Sequence, residues 1–413
     1  ALTFDQVRSC NPAGSPLWAA EFQGGPISTF LHKGRVPSPA DLRRWMLTAV
    51  SCGVTAISFW VTRAEIMAQE TNGFSLLDPS GDTSARLEEA SRVGAALNRH
   101  TDLFGRPSWG GAEAAILVNE WAAQAATTVP PAAEHLAYAT RGWHRLLWQA
   151  GAAADFIEAG ELDEKGGWYK LLIVPFPMSL SDEAAERLAR YVENGGFLVC
   201  EAAAGRLDEH NTARREEMAP ALARLAGAAH LDLRMVREPR DESRWMPAER
   251  TWGEFRDAAV LEGAGALAGV RLRANLYQQS FTLAGGEVVL RHGEECVGVL
   301  GRAGQGRVLL LGTLAGHNAL AYQGEDARAF IQRLLELAGV RTPHAGRLLA
   351  RKRQAAGKQA WFLTNPGAET VSEWVRVGPG RVSDLLGEPF EREGEAVRLS
   401  VEGLDVRVLI VED

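Results

Sequence analysis

Cysteine is scarce in this 413-residue sequence: Cys10, Cys52, Cys200 and Cys296 lie far apart, with no CxxC pair. That spacing argues against a disulfide framework or a thiolate zinc site and predicts free thiols in a reducing compartment. No apolar run approaches the roughly 18 residues of a membrane-crossing helix, and no charged-then-apolar leader is read at the start. A basic block is also missing, since 44 Lys and Arg face 52 Asp and Glu for a net charge of −8. Such a chain carries no electrostatic footprint for nucleic acid or an anionic membrane. Together these absences predict a cytoplasmic protein that engages neither. An initiator methionine is absent too, and Ala1 predicts a processed chain or a piece of something longer.

What is present is ordinary for a folded protein: 46% hydrophobic and 23% charged residues. The length allows two or three domains, each with its own core. Twelve tryptophans are many. Aromatic faces stack on sugar rings, although tryptophan also fills cores, so the count only leans towards carbohydrate.

The organising stretch is Pro16-Leu-Trp-Ala-Ala-Glu-Phe-Gln-Gly-Gly-Pro26. Leu17 to Ala20 reads as a buried strand that stops at Glu21, and Gly24, Gly25 and Pro26 punctuate a loop. A carboxylate just past a buried strand is where α/β barrels hold catalytic groups, because strand ends are rigid and the loop leaves room for a ligand. The plain alternative is a first solvated residue.

From there the chain alternates. Ser38-Pro39-Ala40-Asp41 is a helix start, with Leu42, Trp45, Met46, Ala49 and Val50 at helical spacing and Gly53 as the stop. Val54 to Trp60 reads as a buried strand and Thr83 to His100 as the next helix. A (β/α)₈ barrel needs about 250 residues. Only two βα units fit before a boundary loop at Phe104–Gly111, so residues 1–110 are expected to be an incomplete barrel whose other six units lie upstream of Ala1.

A second alternation fills residues 111–342: strand Ala114–Val118, helix Ala133–Ala150, strand Leu171–Val174, helix Ser181–Glu193, strand Phe197–Cys200, strand Val308–Leu311 and helix Asp326–Leu337. This pattern predicts an open, doubly wound, flavodoxin-like sheet. Residues 228–305, with runs such as Glu287–Leu290, read as an insertion plus edge strands. From 343 to 413 the period changes to short strands with Gly, Pro and Asn turns, which predicts a small antiparallel β-sandwich.

The Glu-x-Gln-Gly-Gly strand end, the doubly wound domain and the terminal β-domain, in that order, resemble the C-terminal part of glycoside hydrolase family 42 β-galactosidases. The resemblance implies a retaining β-glycosidase fragment with no cofactor and no metal. It matches Glu21 in Trp18-Ala-Ala-Glu-Phe-Gln23 to the family nucleophile after the seventh barrel strand, and Glu70 in Ala68-Gln-Glu70 to a carboxylate that binds sugar hydroxyls. Trp60 would wall the sugar site and Gln23 would orient the loop. Leu76-Leu-Asp-Pro-Ser-Gly81 is family-like too. The middle domain resembles the family's trimerisation domain, itself similar to class I amidotransferases, and so implies a homotrimer. Thr29 and Phe30 stand where the family has a tryptophan, and the Thr71-Asn-Gly-Phe74 region lacks a family histidine.

A retaining glycosidase needs two carboxyl groups about 5–5.5 Å apart. In the family the acid/base belongs to an Asn-Glu pair upstream of the nucleophile. Here Asn119-Glu120 is downstream and in the wrong domain, which predicts a solvated strand end for Glu120. The acid/base is therefore expected from upstream sequence or a partner chain, and the isolated chain is expected to be inactive. Two rivals stand beside this reading. One is a non-catalytic assembly or sugar-binding module that kept the scaffold. The other is a Cys-dependent amidotransferase-like enzyme using Cys200 and His317, although Val199-Cys200-Glu201 lacks the small residues a nucleophile elbow requires.

Overall fold

The computed structural model describes all residues except 13, 30–31, 68, 79, 108–110, 129, 237–258, 323–324 and 413. Phe30, Ala68, Pro79 and the centre of the expected 104–111 boundary loop thus lie outside the described residues. The chain divides into two units: Ala1–Gly111 together with Thr342–Asp413, and Ala112–Arg341.

In the first unit the helices form where local signals put them. Ser38 caps helix Pro39–Ser51 through a reciprocal box, its hydroxyl accepting from Asp41 N while the Asp41 carboxylate accepts from Ser38 N at 2.8 Å. Ser84 caps helix Ala85–Asn98 one way only, its hydroxyl accepting from Leu87 N at 3.2 Å. Both helices turn apolar residues inward: Leu42, Met46 and Val50 from one, Ala90 and Val93 from the other. They meet Ala360, Phe362, Val408 and Ile410 of the C-terminal strands in one core.

The strands depart from expectation. The first is Trp18–Gln23, so Glu21 lies within it, not beyond it, and the strand is not buried: Trp18 is 68% exposed. The second, Ala56–Trp60, is likewise only half-covered. They form a parallel two-stranded sheet with no further strand beside either edge among the described residues. Burial of parallel strands requires neighbours on both faces and edges, and here those neighbours are missing.

Residues 342–413 form a four-stranded sheet, ordered Leu349–Ala355, Lys358–Thr364, Val406–Glu412, Arg381–Asp384, and a three-stranded sheet, ordered Val371–Arg376, Ala396–Val401, Glu391–Glu393. Leu348, Trp361, Leu363, Val375, Val397 and Leu409 fill the space between them. The Leu349–Ala355 strand escapes a periodicity reading because Arg351, Lys352 and Arg353 interrupt it. Yet Arg353 is fully buried, donating to the carbonyls of Val50 and Val54 at 3.1 and 3.0 Å and of Phe104 and Arg106 at 3.3 and 2.9 Å. Burial pushes its pKa down to about 10, which still leaves it cationic at neutral pH. Two residues away, Arg351 forms a bidentate pair with buried Asp5 at 3.0 and 2.8 Å.

The second unit is built on a sheet that, among the described residues, runs Arg271–Arg273, Val260–Gly263, Glu287–His292, Glu295–Ala303, Gly306–Leu311, Phe197–Cys200, Leu171–Val174, Ala114–Val118, Ala154–Glu158. Its last five members are parallel, and numbered along the chain they lie in the order 2-1-3-4-5. The Ala154–Glu158 strand was not expected from the sequence. The 228–305 region supplies antiparallel strands at one end of the sheet and a separate pair, Ala228–Met235 with Tyr277–Leu283. Helices Asp182–Glu193 and Pro220–Ala226 cover one sheet face through Leu188, Val192, Leu222 and Leu225.

Replacing Arg353 with methionine removes the donor from four backbone carbonyls, three of them in buried contacts. Urea unfolding of the Arg353→Met chain is expected to show a loss of about 3–5 kcal/mol. Arg353→Lys is expected to recover little, because an ammonium cannot reproduce the planar fork.

Candidate active site

The parallel pair brings three of the four sequence-selected residues to one end. Gln23 and Trp60 are register partners at the last rung. The Trp60 indole N–H donates to Glu70 Oε2 at 3.0 Å, and the Gln23 amide donates to Gly25 O at 2.7 Å. Glu70 rides on the loop that follows Trp60, and that loop is laced to the one after Gln23. Phe74 N donates to Pro26 O at 2.7 Å, Ser28 Oγ to Thr71 O at 2.9 Å and Gly24 N to Phe74 O at 3.2 Å. Gly25 is required there, since a Cβ would sit 2.3 Å from Ser75 O. The Trp60–Val61 peptide is cis.

Glu21 sits two residues short of this end. Ala19 pairs with Ile57 and Phe22 with Phe59, so Ala20 and Glu21 together face the single residue Ser58 in a β-bulge. A bulge interrupts side-chain alternation and re-aims what it carries, and Glu21 is exposed while its neighbour Phe22 is buried against Phe59 in an edge-to-face contact. Sequence spacing cannot show a bulge. On the helix side of Phe22, an open cavity of about 370 Å³ is lined by Phe4, Phe22, Gln23 and Trp45 among others.

The second unit refines one expectation and corrects another. Glu120 is exposed just past strand Ala114–Val118, but it also opens helix Glu120–Thr128, and Asn119 caps that helix, its Oδ1 accepting from Ala122 N at 3.2 Å. The Asn-Glu pair is a helix start. Cys200 is a core residue, fully buried against the Asp182–Glu193 side of the sheet, with its thiol pKa pushed up by burial. The next residue, Glu201, points to the other face because strand neighbours alternate. There it accepts from Gly316 N at 2.7 Å, Trp143 Nε1 at 2.8 Å and Phe176 N at 2.8 Å. His317 follows Gly316 and approaches His135, Nε2 to Nδ1, at 3.2 Å. Cys200 and His317 therefore lie on opposite sides of the sheet and form no catalytic pair.

Glu201 was overlooked as a residue in its own right, although it satisfies the rule applied to Glu21, a carboxylate just past a fully buried strand. Burial raises its pKa to about 7, against the lowering effect of the amide and indole donors around it. Burial lowers that of His135 to about 4. An acid whose folded pKa lies above its unfolded value binds more protons when folded, so its contribution to stability falls as pH rises from about 4.5 to about 7. The buried histidine acts oppositely between about 6.5 and about 4. Unfolding measured across pH 4.5–7.5 for wild type and Glu201→Gln is expected to differ in slope over the carboxyl window by on the order of 3 kcal/mol in total.

Among the described residues no group of three or more His, Cys, Asp or Glu is placed to hold a metal ion. No described helix is long and apolar enough to cross a membrane. All four cysteines are free.

Comparison with known proteins follows the same division. A family model described as the β-galactosidase trimerisation domain matches residues 112–341, more than half of the chain. β-Galactosidase BgaH of Haloferax lucentense is 27% identical over 244 residues, 55% of this chain and 34% of that protein. β-Galactosidase BgaA of Clostridium cellulovorans is 25% identical over 214 residues, 51% of this chain and 32% of that protein. The chain therefore spans about a third of the length of these curated relatives. Among solved structures, Gan42B, a family 42 β-galactosidase from G. stearothermophilus, superposes with a TM-score of 0.77 at 21% identity, covering 100% of this chain and 56% of its own. The β-galactosidase from Bacillus circulans sp. alkalophilus gives 0.75 at 18% identity, over 97% of this chain and 56% of its own. At such identities the likeness is one of fold, an α/β fold similar to those enzymes. By the match that spans its second unit, the chain belongs to the glycoside hydrolase family 42 β-galactosidases.

Proposed function

We propose that the chain is the C-terminal part of a retaining β-glycosidase of the β-galactosidase type, with Glu21 as nucleophile. The observation that carries this reading is the bulge that exposes Glu21 in a strand whose end gathers Trp60, Glu70 and Gln23. In the proposed reaction the Glu21 carboxylate attacks the anomeric carbon as the glycosidic C–O bond breaks. The leaving oxygen takes a proton from an acid/base glutamate, and water later releases the sugar from Glu21. Glu70 binds a sugar hydroxyl while the Trp60 indole holds its carboxylate, Trp60 gives the ring an apolar wall, and Gln23 orients the loop.

The parallel pair is read as the last two βα units of a (β/α)₈ barrel, with both edges awaiting strands from upstream sequence or a partner chain. The acid/base arrives with those strands. That relatives and neighbours are much longer than this chain supports the reading, as does the bare surface around Trp18. The second unit is read as a flavodoxin-like domain that assembles a homotrimer, supported by the description of its family model. The location is read as cytoplasmic.

The purified 413-residue chain is expected not to hydrolyse a nitrophenyl galactoside. In the full-length parent, Glu21→Gln is expected to lower turnover by at least about a thousandfold with the melting temperature unchanged. A 2-fluoro galactoside is expected to leave its sugar on the peptide containing Glu21, and a parent that keeps a near-normal rate after Glu21→Gln would remove this residue from the mechanism.

A further inference from the structure

The outer face of the three-stranded sheet in the first unit carries an arrangement that the reaction at Glu21 does not use. Ser372 lies opposite Ser400, their hydroxyls 2.6 Å apart, and Trp374 lies opposite Arg398, which in turn lies opposite Glu391. Trp374 is 43% exposed, although its strand alternates so that Val371 and Val375 fill the core behind it. Beside it runs a groove of about 810 Å³ whose lining includes Ser372, Ser400, Arg398, Glu391 and the partly buried Phe390. Grooves of roughly 300–1,000 Å³ suit small ligands.

The electrostatics narrow the ligand. Arg43 is held by Asp405 and Glu89, Arg407 by Asp384 and Glu388, and Arg398 faces Glu391 at 3.6 Å. Each guanidinium is already partnered, so none is spare for a phosphate or a nucleic-acid backbone. What the surface offers is a pair of hydroxyls, the outer lone pairs and N–H groups of ion pairs, and one flat indole roughly 7 Å along the strand from Ser372. A ligand with many hydroxyls, no net charge and apolar C–H faces satisfies all of these together. A protein partner would need a larger apolar core than one tryptophan provides.

We propose that this groove, with Trp374 at its side, is a second carbohydrate-binding surface that takes a neutral oligosaccharide away from the strand end bearing Glu21. It holds sugar without cleaving it. The proposal does not rest on Glu21 being catalytic, and it can stand or fall independently of that reading.

The test is calorimetric titration of the 413-residue chain with galactotetraose, cellotetraose and mannotetraose. At least one is expected to saturate with a dissociation constant on the order of 1 mM or tighter. Trp374→Ala and Arg398→Ala are expected to weaken that binding about tenfold or more, with the melting temperature and the mass in solution unchanged, while Glu21→Gln leaves it intact. Ser400→Trp, a substitution an exposed strand position accommodates, is expected to block the groove outright and serves if Trp374→Ala does not fold. The proposal is overturned if no tetrasaccharide saturates by about 20 mM, if binding survives both Trp374→Ala and Ser400→Trp, if Glu21→Gln abolishes it, or if Trp374→Ala changes the oligomeric mass.

Discussion

A guanidinium sealed from water must find acceptors inside the protein, and Arg353 finds them in backbone carbonyls in the middle and at the end of the first unit's α/β segment. Two of those carbonyls, Val50 and Val54, flank the turn after helix Pro39–Ser51, and the other two, Phe104 and Arg106, lie at the end of the short helix Thr101–Phe104 that follows Ala85–Asn98. Carbonyls at and beyond a helix end lack the i+4 amide that pairs them inside it. One side chain from the terminal β-domain thus answers an obligation created nearly 250 to 300 residues earlier in the chain. The Asp5–Arg351 pair does the same for the N-terminal helix Leu2–Cys10, with an ion pair in place of carbonyls. Together they explain why two segments at opposite ends of the sequence share one core.

That pinning holds the two parallel strands without burying them. Their helices are anchored to a rigid β-domain, while their outer edges and the indole of Trp18 face solvent. A strand pair in this state presents its end and its bulge in a fixed geometry. Glu21 gains exposure from the bulge and Glu70 gains a partner in Trp60, with Gly25 allowing the following loops to close over one another. The second unit solves its own polar problem differently. Glu201 draws together Gly316, Trp143 and Phe176, three groups from separate elements, at the carboxyl end of the sheet. A carboxyl placed there is a tertiary fastener, and its raised pKa is the consequence of the dry site that makes it effective.

Two helix starts were legible in this sequence because their causes are local, while the Asn119 cap, equally local, reads as a strand end because it directly follows a buried strand. Ser38 and Ser181 each lie within one turn of the amide they cap, and periodicity shows much of the alternation from Ala114 to Leu337, although strand Ala154–Glu158 and helices Glu120–Thr128 and Ala315–Tyr322 escape it. The parallel strand core of the second unit was legible for the same reason, Leu171–Val174 and Phe197–Cys200 being unbroken apolar runs. The family likeness also came from contiguous residues around Glu21.

What tertiary structure alone decided is whatever depends on a partner distant in sequence. Apolar content predicted burial for Leu17 to Ala20, but burial needs covering strands, and among the described residues none flank this pair. The exposure of Glu21 depends on a bulge defined by a second strand some 40 residues on. Arg351 and Arg353 read as surface charge until the carboxylate and carbonyls that neutralise them are in place, and Cys200 and His317 read as a pair until the sheet puts them on opposite faces. Local chemistry therefore set the elements and their order. Which side chains are dry, paired or exposed was set by contacts between parts of the chain that sequence reading treats separately.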